Sequence, residues 1–314
     1  MSVLFDIKAS NSSKIVLESD SIEELNYVFN SSDTDNVVAA YSFRRLSPNY
    51  YGALIRVRNK NTNTEKDFYP NADGKIDIDE LKSYVKTTIG NSAAYLISFY
   101  NQAANHKSYT NPTAGDGNAI APDGAFEPRI VNTLVVNRTN GLISAPLIFN
   151  GNEDYFKVDN IATGNPLSNN ITGSMFAYFV GAHDGTSGNK AMFSKSGEYE
   201  FIYTSPTNVQ YSDSNNSVNL PVSASSDLRI HSFNRNVDNN IIDLQVNNTT
   251  TNPVSQSIPD AITSANDSLY IGASASGNDY FSGDFQELVI FDSYKNATDK
   301  AAILYGVNKY YNVY

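Results

Sequence analysis

The chain has 314 residues, 40% hydrophobic and 12% aromatic, which is ample for one large or two ordinary cores and excludes a disordered chain. Its 22 basic against 33 acidic residues leave a formal charge of −11, which excludes the dense positive field that a nucleic-acid surface needs. The absence of cysteine excludes disulfides, thiolate metal sites and cysteine nucleophiles.

Residues 1–36 differ in pattern from the rest of the chain and read as a small N-terminal attachment segment. The start has neither a basic region nor a long apolar run, so no secretory signal is expected, and no later stretch has the length of a membrane span. Within the segment, Ser21 and Glu24 form a capping-box pattern before Leu25, Val28 and Phe29. The polar run from Asn30 to Asn36 reads as a linker. From Val37 onward short apolar or alternating segments recur, separated by Gly, Asn, Asp, Pro and Ser. The 21 tyrosines and 16 phenylalanines favour strands, and about 40 asparagines favour turns. In 241–246, Ile242, Leu244 and Val246 share one face, and the preceding 234–240 reads as a hairpin loop. Phe285–Phe291 is almost continuously apolar, as in a strand covered on both sides. Two helices interrupt the pattern: one over 77–87 with Leu81, Tyr84 and Val85, and one at the C-terminus, capped by Thr298 or Asp299 and displaying Ile303, Leu304, Val307 and Tyr310. The expected fold is therefore all-β, a sandwich with few short helices.

Three passages carry a family resemblance. Ala39 to Arg58 (AAYSFRRLSPNYYGALIRVR) resembles the opening of the arabinofuranosidase B catalytic domain and of related phage-encoded virion proteins. Tyr95 to Gln102 resembles the aromatic-Tyr-Asp-Gln-Ser-Gly segment of those relatives. Ser268 to Phe291 with the tail to Tyr314 resembles the last strands and closing helix of a laminin-G-like, concanavalin A-like jelly roll. The resemblance implies such a jelly roll over 37–314 and leaves 1–36 outside it. The departures are chemical. Tyr100-Asn101-Gln102-Ala103-Ala104 lacks the family's carboxylate and glycine, and the enzymes' vicinal cysteine pair is absent. Matching the strand end Tyr270-Ile271-Gly272 puts Ala275 or Ser276 at the family's acid aspartate, with Asp279 a few residues on. The resemblance and these departures together imply a non-enzymatic structural protein of a bacteriophage virion, a capsid decoration or a tail or fibre component. Its partners would be other virion proteins in an oligomer, and it would need no cofactor, nucleic acid or membrane. A glycan-binding module for host-surface adhesion is the first alternative, and an arabinofuranosidase-like hydrolase the second.

Glycoside hydrolysis needs two carboxyl groups about 5 Å apart for retention or about 6.5–9.5 Å for inversion. Asp184, Glu198, Glu200, Asp279 and Glu287 are candidates, though no spacing brings two together. Of these, Asp279 and Glu287 stand out, Glu287 because an acid in an apolar strand must be paired or protonated. Asn71, Asp73 and Glu80 imitate positions three, five and twelve of a calcium loop, but Tyr69 at position one offers no carboxylate, and a turn feeding an acid-capped helix explains the same residues. His106, His183 and His231 are widely separated and read as isolated surface or loop residues. Arg44, Arg45, Arg56 and Arg58 are expected to pair with acids across strands.

Overall fold

A computed structural model describes residues 27–29, 36–48, 50–85, 93–103, 117–122, 128–132, 138–139, 142–143, 147–158, 174–195, 198–213, 217–250, 254–255 and 268–314. Within them the first strands are β1 (Val37–Ser42), β2 (Ile55–Asn59), β3 (Glu65–Phe68), β4 (Ala93–Phe99), β5 (Ala119–Ile120) and β6 (Arg129–Asn132). A small separate hairpin, β7 (Arg138–Thr139) and β8 (Leu142–Ile143), precedes β9 (Leu147–Asn150) and β10 (Phe156–Val158). The middle of the chain supplies β11 (Met175–His183), β12 (Lys190–Lys195), β13 (Tyr199–Ser205), β14 (Asn208–Asp213) and β15 (Ser217–Pro221). It continues with β16 (Arg229–Asn236), β17 (Ile241–Val246), β18 (Thr249–Thr250), β19 (Val254–Ser255), β20 (Leu269–Ile271) and β21 (Ser282–Phe291). The helices are α1 (Ile78–Val85) and α2 (Ala297–Tyr311).

These strands build the expected β-sandwich from two antiparallel layers. One layer runs β17, β16, β11, β21, with β1 and β9 sharing the far edge of β21. The other runs β3, β2, β4, β5, β10, β20, β12, β13, β14, β15. A β6 bridge between β4 and β9 continues the hydrogen bonding from one layer to the other. Period-two alternation sends Phe99, Phe156, Phe193 and Phe201 of the wide layer against Phe179, Phe233 and Phe285 of the other, where the rings meet mainly edge to face.

Helix α2 covers the outside of the narrower layer and creates a second core. Leu304, Val307 and Tyr311 pack there with Ala40, Phe176, Tyr178, Val180, Val289 and Phe291. This explains why β21 is apolar on both faces: Phe285, Leu288 and Ile290 enter the central core while Val289 and Phe291 lie under the helix. The helix begins earlier than the sequence suggests. Asn296 is its cap, accepting from the N–H groups of Thr298 and Asp299, and left-handed Asn312 closes the other end. Helix α1 is capped by Asp77, whose Oδ1 accepts from the N–H groups of Asp79 and Glu80. Of the N-terminal segment, residues 27–29 lie against the sandwich: Val28 N–H donates to Leu46 O at 2.9 Å and Phe29 is buried in the second core. The capping-box residues Ser21 and Glu24 and the linker 30–35 fall outside the described residues.

Candidate functional site

Directly opposed residues on neighbouring strands share a face. Following the pairings across the wide layer gives one row on its outer face: Asp67, Arg56, Ser98, Ile120, Lys157, Tyr270, Ser194, Glu200, Ser212 and Ser217. Nine of these ten are polar or aromatic, although the residues flanking them along each strand mostly enter the core. The row is the polar half of the alternation, continued over ten strands.

Two turns add side chains to the middle of this row. Between β9 and β10, Asn150 Oδ1 accepts from the N–H groups of Asn152 and Glu153, Gly151 takes φ +76°, and Asp154 Oδ2 accepts from Asn150 N–H at 2.8 Å. That tight turn delivers Tyr155 beside Tyr270, with ring centroids 5.9 Å apart. After β20, the chain leaves the sheet at Gly272 and returns at Phe281, whose N–H donates to Gly272 O at 2.8 Å. Inside the loop, Ser274 Oγ accepts from the N–H groups of Asn278 and Asp279, and Asp279 O accepts from Ala191 N–H at 3.0 Å. The loop carries Tyr280 to within 6.1 Å of Tyr155 and sets Asp279 close to Glu200. Tyr155, Tyr270 and Tyr280 are each half-buried, so the three rings form a platform with part of their surface open.

Glu200 is the perturbed acid of this face. Burial raises its carboxyl above the usual range, and the Asp279 charge pushes it further. Burial also raises the Tyr155 phenol, helped by Tyr280 and Tyr270 and opposed by Lys157. The arrangement thus offers aromatic faces, a cationic side chain and two carboxyl groups on one surface.

The candidates read from sequence fall in different places. Asp279 is in this patch; Glu287 is not. The Glu287 carboxylate lies wholly buried under α2 and accepts from Arg44 Nε at 2.7 Å, Arg44 Nη2 at 2.9 Å, Ser42 Oγ at 2.8 Å, Tyr178 Oη at 2.7 Å and Tyr311 Oη at 2.9 Å. Five donors occupy the carboxylate, which makes Glu287 a structural centre between the sheet and α2. Glu198 is buried with Lys195 at 2.6 Å. Asp184 takes the Ser282 hydroxyl and lies near Asp284 on the outside of the other layer.

Asn71 Oδ1 accepts from the N–H groups of Asp73 and Lys75, while Glu80 pairs with Lys66 at 2.8 Å. These residues form the turn and capped helix, and no cluster of three metal-ligating side chains occurs among the described residues. His183 and His231 are buried on either side of Tyr203, correcting the expectation of isolated surface residues, and His106 lies outside the described residues. Of the four arginines, Arg44 pairs with Glu287 and Arg56 with Asp67, whereas Arg45 lies over the Tyr27 and Tyr51 rings and Arg58 over the Tyr95 ring. Asn101 and Gln102, which replace family residues, tie backbone to backbone: Asn101 joins Ala40, Val38 and Ala103, and Gln102 joins Leu46 and Arg44.

Glu200 is among the sequence candidates, but its juxtaposition with Asp279 is not foreseeable from spacing. The two are brought together by the neighbours β20, β12 and β13, an order that no local pattern encodes. The one local signal is the repeated placement of tyrosine or acid between two core residues, as in Leu269-Tyr270-Ile271 and Tyr199-Glu200-Phe201.

No family model and no curated protein matches the sequence. Solved structures do match. An arabinofuranosidase complexed with arabinofuranosyl-α-1,2-xylobiose aligns with a TM-score of 0.64 and 14% identity, over 86% of this chain and 62% of the other. A GH54 α-L-arabinofuranosidase soaked with a cyclic sulfate inhibitor aligns over the same shares with a TM-score of 0.63 and 14% identity. A Ruminococcus gnavus sialidase carbohydrate-binding module bound to α2,3-sialyllactose covers 51% of this chain and 95% of its own at a TM-score of 0.42 and 9% identity. The chain therefore has the β-sandwich fold of the arabinofuranosidases and spans 62% of their length. The expectation of a protein without catalytic activity is corrected by this finding, because the fold is one that glycoside hydrolases use. The virion assignment draws no support from these structures.

Proposed function

We propose that the protein recognises a glycan on the outer face of its wide sheet. A sugar ring lies against Tyr155, Tyr270 and Tyr280, and Glu200, Asp279 and Lys157 meet its hydroxyls. The observation that carries this reading is the three-tyrosine platform beside two carboxyl groups on one surface. Tyrosine suits the task because its flat apolar face matches the C–H face of a sugar and few rotamers are lost on contact. Hydroxyl recognition requires polar groups fixed around that face, and strand pairing fixes Glu200 and Lys157.

Hydrolysis of the bound glycoside is a second reading, favoured by the raised Glu200 carboxyl. A protonated Glu200 would donate to the leaving oxygen, and the Asp279 carboxylate would stabilise positive charge developing on the sugar. The fold shared with an arabinofuranosidase complexed with arabinofuranosyl-α-1,2-xylobiose makes α-L-arabinofuranosides the first compounds to try.

Calorimetric titration with arabinofuranosyl-xylobiose and a glycan array test the first reading. Tyr270→Ala is expected to weaken binding about tenfold or more. Failure of the wild type to bind any glycan, or binding unchanged in Tyr155, Tyr270 and Tyr280 variants, would falsify it. Release of 4-nitrophenol from 4-nitrophenyl α-L-arabinofuranoside tests the second. The rate should fall as pH rises through the Glu200 titration, and Glu200→Gln should abolish release while binding persists.

A further inference from the structure

The inside of the sandwich holds a polar group that the outer face does not use. Arg229 opens β16 and is about nine-tenths buried at 8% exposure. Its Nη2 donates to Ser223 O at 2.5 Å, and its positive charge opposes burial in raising the Tyr203 pKa. Its Nη1 is buried without a hydrogen-bond partner, and no carboxylate pairs with Arg229 among the described residues. From β11, His183 stacks on the Tyr203 ring at 4.5 Å and is 2% exposed. His183 Nδ1 accepts from Gly185 N–H at 3.0 Å, which places the ring proton on Nε2, and Nε2 is buried with no partner.

The third member is His231. Its Nδ1 lies 3.3 Å from Phe179 O and its Nε2 2.6 Å from the Tyr203 hydroxyl. Burial lowers its pKa to about 3, so the ring is neutral: it donates through Nδ1 and accepts the Tyr203 proton at Nε2. Tyr203 thereby spends its proton on His231. Among the described residues, what remains is the buried Arg229 charge and two unspent N–H donors, Arg229 Nη1 and His183 Nε2. The two residues are diagonal neighbours on one face of the sheet, since Arg229 pairs across the strands with Gly181, two residues before His183 on β11. The acid nearest His183, Asp184, is committed elsewhere: Oδ1 accepts from Thr186 N–H and Oδ2 from the Ser282 hydroxyl.

We propose that Arg229 and His183 form a buried anion site, in which a monovalent anion of halide size accepts from Arg229 Nη1 and His183 Nε2. A buried guanidinium without a counter-charge is costly, and among the described residues neither Arg229 Nη1 nor His183 Nε2 meets an acceptor or a pairing carboxylate. A water molecule would satisfy the donors and leave the charge unpaired. The burial of both side chains limits the occupant to a small ion.

The experiment uses the full chain in sodium bromide and in sodium gluconate at equal ionic strength. Crystals soaked in bromide should show an anomalous peak within hydrogen-bond distance of both nitrogens. The melting temperature should rise saturably in bromide over gluconate, by about 2 °C at ten times the Kd. The rise should vanish in Arg229→Gln or, should that variant not fold, in His183→Phe, which keeps the ring stack and removes the donor. Melting equal in the two salts, or an ordered water in place of bromide density, overturns the proposal.

Discussion

Glu287 and Asp284 stand three residues apart on β21, and their surroundings treat the two carboxyl groups in opposite ways. Glu287 is fully satisfied: the Arg44 fork, Ser42, Tyr178 and Tyr311 all donate to it, and Arg44 lies over the Tyr310 ring at 4.2 Å. Burial lowers the Arg44 pKa, but the Glu287 charge, its hydrogen bond to Arg44 and the neighbouring Tyr311 and Tyr178 together outweigh that and raise it. Glu287→Gln removes the negative charge that faces that buried guanidinium, so a loss of about 3–5 kcal/mol is expected from urea unfolding. Asp284 has no cation beside it among the described residues. Burial, with help from the Asp184 charge, raises its pKa to about 6. A raised folded pKa means that the stabilising contribution is complete below the unfolded value and is lost as pH rises through about 6. Asp284→Asn is therefore expected to match the wild type near pH 4 and to exceed it near neutrality by about 1 kcal/mol, after allowance for partial exposure. Melting curves across that range for both proteins check the sign. That Glu287 needs a partner is legible from the apolar run around it. That the partner is Arg44 is not, because the pairing of β1 with β21 joins residues 243 apart.

At the scale of elements, alternation identifies strands well and their neighbours poorly. Ile242, Leu244 and Val246 are buried on one face as their spacing implies, and β21 is covered on both sides. The order β10, β20, β12, β13 that assembles the tyrosine platform is written in no single segment. It depends on the loop after β20, and that loop depends on Gly272. This residue has φ +84°, and a Cβ there would collide with the Phe149 ring, itself packed on Phe156, Phe281 and Phe285. A side chain at 272 must therefore displace either the core ring or the loop. Gly272→Ala is expected to cost about 2 kcal/mol in stability. Because the same loop sets Asp279 and Tyr280, the variant should also bind glycan more weakly at temperatures where it remains folded. Titration well below its melting temperature separates the two effects.

Across the whole molecule, the composition reflects a sandwich with an unusually large number of reversals. Five asparagines, at 36, 63, 240, 247 and 312, take left-handed φ values between 50° and 54°, a role that asparagine fills at lower strain than other non-glycine residues. Tyr178 and Tyr311 serve the buried Glu287, whereas Tyr155, Tyr270 and Tyr280 form the open platform on the opposite layer. Helix α2 joins these levels, because it shields one apolar face and delivers Tyr311 to the buried carboxylate. A chain ending at Ser293 would lose that cover. Phe176, Tyr178, Val180, Val289 and Phe291 would then form a contiguous apolar patch beside an exposed edge of the Arg44–Glu287 pair. Patches larger than a few hundred Å² promote association. The shortened chain is therefore expected to bind a hydrophobic dye and to elute as aggregate on size exclusion. A monodisperse, dye-silent product would show instead that the central core between the two layers suffices to hold the sandwich.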